Sequence, residues 1–327
     1  MKTSLKMTLG AVLWTAMFLQ PSTLLAQGSL TPPGPPAPTM KTLQQVEPRV
    51  PISTAPFTIS QPGSYYLTTN LTVSGGNAIT IAANGVTLDL NGFTIASTTN
   101  PASGIAVLIS GGLRNIAIQN GHIQGGVTNN GSGVFSGPGF GYGIYIYYSG
   151  SAPENVRVSG VSVSGCLYDG IYVGDSGSTA VENCVVRTVG GRGIFASTIR
   201  GCVALDCGGT AIDGQQVSDS RGESVGGMGL HAITAQNCYG VSSSGTGLYA
   251  STAQNCCGTS SSGIGLYAAI AQNCYGFSTS GPRGLYAQNA AFCTGYRSGG
   301  TAIEAIIANG CLAAVGTNLI SYKYNMP

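Results

Sequence analysis

Asp213 and His231 carry the most evident chemical potential in this chain. They stand 18 residues apart, with Arg200, Asp206, Asp219, Arg221 and Glu223 close by. By contrast, residues 232–282 contain no Asp, Glu, Lys or Arg. A carboxylate pair can carry acid–base hydrolysis, and an arginine can act as base or clamp in the elimination of a uronate. The catalytic candidates are therefore Asp213, His231, Asp219, Arg221 and Glu223. An Asp–His pair alone defines no reaction, because it lacks a third group to position it. Surface charges also pair among themselves, and Asp169 with Arg192 and Glu182 with Arg200 occupy matching places in successive segments.

The ten cysteines form a second set. Cys184, Cys202, Cys238, Cys256 and Cys274 recur at multiples of 18 residues, with Ser220 in the same series. Cys293 and Cys311 continue it after one extra residue at Pro282, read as a small local bulge. Zinc needs converging ligands, and no CxxC pair occurs, so neither a metal nor a cofactor is expected. Thiols stacked in register point the same way rather than at each other, which disfavours disulfides even where export permits them. They read as a ladder of buried thiols acting as small hydrophobes. Cys166 and Cys207 share another series two coils apart, ~9.6 Å, too far to bond.

The element that positions these residues is a repeat. GMGLHAITAQNCYGVSSS, GTGLYASTAQNCCGTSSS and GIGLYAAIAQNCYGFSTS are near copies. The aliphatic residue after the glycine falls at Ile144, Ile171, Ile194, Ile212, Leu230, Leu248, Leu266, Leu285 and Ile303, and Ile105 and Ile79 extend the series backwards. The spacing is long and irregular at first and then settles to 18 or 19 residues. Frequent glycine and the lack of a 3.6-residue apolar stripe exclude helices. NAITIAANGVTLDLNGFTI and NIAIQNGHI alternate with period two, as strands do. If each period is one coil, equivalent residues stack ~4.8 Å apart, and about eleven coils make a rod roughly 50 Å long. A calcium β-roll would need GGxGxD nonapeptides, and a left-handed hexapeptide helix an aliphatic residue every six positions; neither pattern occurs.

Stacking turns sequence columns into ladders. With the aliphatic residue inward, its partner two residues on is small: Ala196, Gly214, Ala232, Ala250, Ala268, Ala287 and Ala305. Asn183, Asn237, Asn255 and Asn273 precede the thiols and suit a left-handed corner. The outward column reads Tyr145, Tyr172, Phe195, Asp213, His231, Tyr249, Tyr267, Tyr286 and Glu304. Aromatics on neighbouring strands stabilise one another. A contiguous exposed stripe of them also offers a flat surface to sugar rings. Tyr145, Tyr172, Phe195, Tyr249, Tyr267 and Tyr286 are thus the carbohydrate-contact candidates.

Lys2 and Lys6, the apolar run Met7–Leu19 and Leu24-Leu25-Ala26 have the form of a signal peptide cleaved after Ala26. A Pro-rich spacer at 27–50 and one repeat domain at 51–327 follow. Without the leader the chain carries 11 basic and 11 acidic residues. It then has no electrostatic footprint for nucleic acid. No later segment is long and apolar enough for an integral membrane helix. Secretion, or a cell-surface or periplasmic location, is expected.

NGVTLDLNGFTI, RNIAIQNGHI and ENVRVSGVSV resemble the opening coils of right-handed parallel β-helix proteins of the pectin-lyase-like type, over roughly residues 57–317. The segment GSLTPPGPPAPTMKTLQQVEPRVPI resembles leads found before β-helices in secreted bacterial proteins. The resemblance implies an all-β, single-stranded right-handed parallel β-helix and export. It transfers no reaction, because the fold hosts enzymes and non-enzymes. The NTD, DD, GHG and RIK segments of polygalacturonase-like enzymes and the DPHE signature of alginate epimerases are missing. Asn120-Gly121-His122 is only a near match. The expected function is a non-enzymatic extracellular surface or carbohydrate-contact module, with polysaccharide or cell-surface glycan as partner. The alternatives are a divergent polysaccharide lyase, glycoside hydrolase or epimerase, and a flat-face binder of a regular surface such as ice. A cleft beside the Gly-rich insertion 124–142, with Phe135, Phe140 and Tyr142, is the other place for a site.

Overall fold

One coil of the repeat shows how the sequence builds the whole. Leu230–Gln236 and Tyr239–Ser242 are its strands. Leu230 and Ala232 turn inward and His231 outward. Pairing pauses at Ile233 and again at Asn237 and Cys238, so the coil has three hydrogen-bonded runs, 230–232, 234–236 and 239–242. We call these the first, second and third faces. Each pairs in parallel with the next coil, and the strands of all coils join one 27-stranded sheet. The fold is the expected right-handed parallel β-helix, right-handed as crossovers between parallel strands of one sheet are. The structure, a computed structural model, describes residues 47–147 and 152–326. All the strands lie in the unit Arg49–Pro327. The cleavage point after Ala26 and most of the spacer fall outside the described residues. No helix among these residues is long and apolar enough to cross a membrane.

The aliphatic column from Ile144 to Ile303 is in register and fully buried. Upstream the register differs from the sequence reading. Ile79 and Ile144 both pair with Val107, whereas Ile105 pairs with Tyr142. A slip of two residues keeps the same side chains inward, so period-two alternation cannot separate Ile105 from Val107. The extra residue at Pro282 lies in the turn between Tyr275–Ser278 and Arg283–Ala291, and the neighbouring pairing runs without a bulge.

The interior is narrow. Gly258 on the third face packs against Gly265, which enters the first face of the next coil, and a Cβ on Gly258 would overlap the Gly265 carbonyl. The thiol column from Cys184 to Cys311 is buried and all ten cysteines are free. Each of these thiols donates to a backbone carbonyl two residues earlier, as Cys238 does to Gln236 at 3.1 Å. Ser220 keeps the pattern with its own bond to the Ser218 carbonyl. Asn183, Asn237, Asn255 and Asn273 have φ of 51–54°, the left-handed geometry that asparagine tolerates. The amide of Asn273 donates to Asn255, and that of Asn255 to Asn237.

Serine plays a part that its polarity conceals. Ser242, Ser260 and Ser278 are buried at the ends of third-face strands. Each hydroxyl donates to a glycine carbonyl of the coil before (Gly227, Gly245, Gly263) and accepts the amide of a glycine three residues on. The turn that closes each coil is thereby bonded to its neighbour.

Candidate functional site

The outward column of the first face stands as expected. Tyr145, Tyr172, Phe195, Asp213, His231, Tyr249, Tyr267, Tyr286 and Glu304 pair in unbroken register across nine strands. Tyr249, Tyr267 and Tyr286 stack at 4.7 Å, with interplanar angles of 7° and 18°. Tyr145, Tyr172 and Phe195 stack more loosely at 4.9–5.1 Å, and Tyr142 and Tyr168 extend the cluster. Such pairs contribute about 0.5–1.5 kcal/mol each beyond burial. Stacked rings cover one another's faces. A ligand on this stripe therefore meets ring edges and phenol hydroxyls rather than ring faces.

Asp213 and His231 interrupt the rings. His231 Nδ1 lies 2.7 Å from Asp213 Oδ1, and the Arg192 guanidinium 3.6 Å from Asp213 Oδ2. Asp213 is 16% exposed, against 43% for His231. Arg192 lies over the Phe195 ring at 4.7 Å, so a cation continues the stack where a ring is missing. The sequence pairing of Arg192 with Asp169 is only half right. Asp169 accepts the Arg192 backbone amide at 2.7 Å, while the side chain turns to Asp213 on the next coil. Burial pushes the Asp169 carboxyl above its ordinary value.

The same trio recurs at the other end of the column. Arg283 lies over Tyr286 at 5.3 Å and pairs with Glu304 on the next coil. In both places an arginine two residues before the aliphatic position bridges a ring to a carboxylate. Arg192 and Asp213 thus form a repeated way of ending an aromatic stack. Their carboxylate is engaged on both oxygens.

The hydrogen bond to Asp213 raises the His231 pKa above 6.5, with burial opposing it. A group whose pKa rises on folding stabilises the fold below its unfolded pKa and ceases to do so as pH climbs through the folded value. The melting-temperature advantage of the wild type over His231→Tyr is therefore expected to be largest below the ordinary His value of about 6.5 and to fade as the pH rises above it. A pH-independent difference in a thermal melt series would contradict this.

The remaining candidates lie elsewhere. Arg221 and Glu223 sit on the third face and pair with each other at 3.4 Å. Asp219 is at the corner between faces, near Arg200 and bonded to Asn237. None joins Asp213. Beside the insertion there is a cavity of about 370 Å³ lined by Ala96, Ser97, Thr98, Gln124, Gly125, Gly126 and Pro138. Phe140 is fully buried, and Phe135, in the antiparallel hairpin Thr128–Asn129 and Phe135–Ser136, packs over Gly190 and Gly208. The Asn129 amide ties this hairpin to Asp206 at 2.7 Å. Among the described residues no cluster of three or more His, Cys, Asp or Glu is arranged to hold a metal.

Fold and ladders together define a parallel β-helix repeat protein. No family model matches the sequence, and no curated protein matches it. Among solved structures the chain is similar to the Dettilon tailspike protein gp208, at 12% identity and a TM-score of 0.36. The match covers 84% of this chain and 61% of the tailspike chain, so this chain spans about three fifths of that protein.

Proposed function

We propose that the protein is a non-enzymatic extracellular contact module whose first face lies against a polysaccharide or a glycan-coated surface. The observation that carries this reading is the nine-strand outward column of half-buried aromatic and charged side chains in register. Exposed contiguous aromatics mark contact surfaces. Phenol hydroxyls spaced at the coil repeat, with Asp213, His231 and Arg192 among them, supply hydrogen bonds suited to sugar hydroxyls. The double engagement of Asp213, and the recurrence of its arginine pairing at Glu304, support a structural part for this carboxylate. Export follows from the signal-like leader. The test is retention of the protein on immobilised polysaccharides, with neither new reducing ends nor unsaturated uronates in the eluate. Free passage through a broad panel would overturn the proposal.

One observation favours a second reading, a polysaccharide-active enzyme. His231 is hydrogen-bonded to a carboxylate, as a general acid–base is. Digestion of the same panel by the wild type and Asp213→Asn decides it. Turnover lost in the variant would establish this reading, and no turnover by the wild type would end it.

A further inference from the structure

We infer that a notch on the second face is a subsite for one or two units of a neutral, polyhydroxylated chain. Its use of glycan rests on the contact reading above, but the site is separate from the aromatic stripe. The notch is a cavity of about 390 Å³ lined by Thr198, Arg200, Gln216, Val217, Ser218, Thr234 and Gln236, a volume within the ~300–1,000 Å³ of small-ligand sites.

Register explains why it exists. Arg200, Ser218 and Gln236 stand in one outward column, and Thr198, Gln216 and Thr234 in the column beside it. Ser218 is the short member between two long ones. Arg200 and Gln236, two coils or ~9.6 Å apart, form the walls. Val217, almost fully buried, is the floor.

The asparagines and the serines at 242, 244, 260, 262, 278 and 280 satisfy themselves, the first by bonding one another and the second by bonding backbone carbonyls. The side chains of Thr198, Gln216, Ser218, Thr234 and Gln236 make no hydrogen bond among the described residues. Thr252, Gln254 and Gln272 continue the notch's own columns and share its unpaired state, so it is the short Ser218 that sets the notch apart. Unpaired hydroxyls and amides thus converge on one concave spot, each able to both donate and accept. The charge selects the ligand. Arg200, the single charge of the lining, has Asp219 at 3.9 Å. An acidic sugar would have to displace that carboxylate, whereas a neutral one meets a balanced site.

The test is calorimetric titration of the mature chain with hexasaccharides of β-glucan, mannan and galactan, and with oligogalacturonate and oligoalginate as acidic probes. At least one neutral probe is expected to bind, ahead of both acidic ones. Ser218→Trp, which fills the notch, and Gln216→Ala with Gln236→Ala, which removes its two amides, are each expected to weaken that binding ~10-fold or more. These positions face outward, and an unchanged melting temperature verifies the fold; should Ser218→Trp lower it, the glutamine pair decides. Tyr275→Ala, exposed on the third face and off both the notch and the stripe, is expected to leave hexasaccharide affinity intact. Binding of no neutral probe, a preference for acidic probes, or equal binding by the notch variants overturns the subsite. Failure of polymer retention alone overturns the first-face reading and leaves this one standing.

Discussion

Gly258→Val is expected to destabilise the repeat by about 3 kcal/mol or more. The new side chain would point into the coil, where the Gly265 carbonyl already fills the space of a Cβ. That neighbour is backbone, paired into its own ladder through Leu248 and Gly265, and cannot step aside as a side chain can. The same close approach recurs at Gly240 with Gly247 and at Gly276 with Gly284, so the strain would propagate along coils that touch only their neighbours. Thr259→Val next to it faces outward and should change stability by no more than ~0.5 kcal/mol. Thermal melts followed by circular dichroism compare the two. A Gly258→Val protein that melts with the wild type would show that the interior is wider than described.

The second large effect concerns contact. Tyr249→Ala with Tyr267→Ala should weaken retention on a bound polysaccharide ~30-fold or more, as loss of central aromatic anchors does. The fold should survive, because the inward residues beneath, Leu248, Ala250, Leu266 and Ala268, are untouched and buried. Loss of the stacking between the rings removes about 1–3 kcal/mol. Tyr275→Ala on the third face is the control. It is exposed, lies off the column, and should leave retention unchanged. Affinity electrophoresis through polysaccharide-loaded gels reads both. Equal mobility of all three proteins would remove the first face from the interaction.

Much of this was legible in the sequence because a β-helix converts spacing into position. Once the 18-residue step was read, the outward column from Tyr145 to Glu304 and the thiol column from Cys184 to Cys311 followed residue by residue. The asparagine corners followed from the left-handed tolerance of that side chain. What escaped has physical reasons. Ile105 and Val107 share a parity, so alternation could not choose between them. Ring orientation depends on side-chain torsions, and it decides whether the stripe offers faces or edges. Spacing sets Arg192 beside Asp169 because it locates a Cα, not the far end of a long side chain; the recurrence of the arginine at Arg283 is the available signal. Ser242, Ser260 and Ser278 are polar and yet buried because each closes a turn, which spacing alone does not reveal. The notch at Ser218 is a difference in side-chain length within one column, visible only after the columns are laid side by side.

The most direct test of the contact surface is hydroxyl-radical footprinting of the tyrosines, read by mass spectrometry, with and without each polysaccharide of a broad panel. With a bound polymer, Tyr249, Tyr267 and Tyr286 should be protected together, while Tyr239 and Tyr275 on the third face label as before. Equal labelling of the first-face tyrosines with every polymer, or protection confined to Tyr239 and Tyr275, would contradict it.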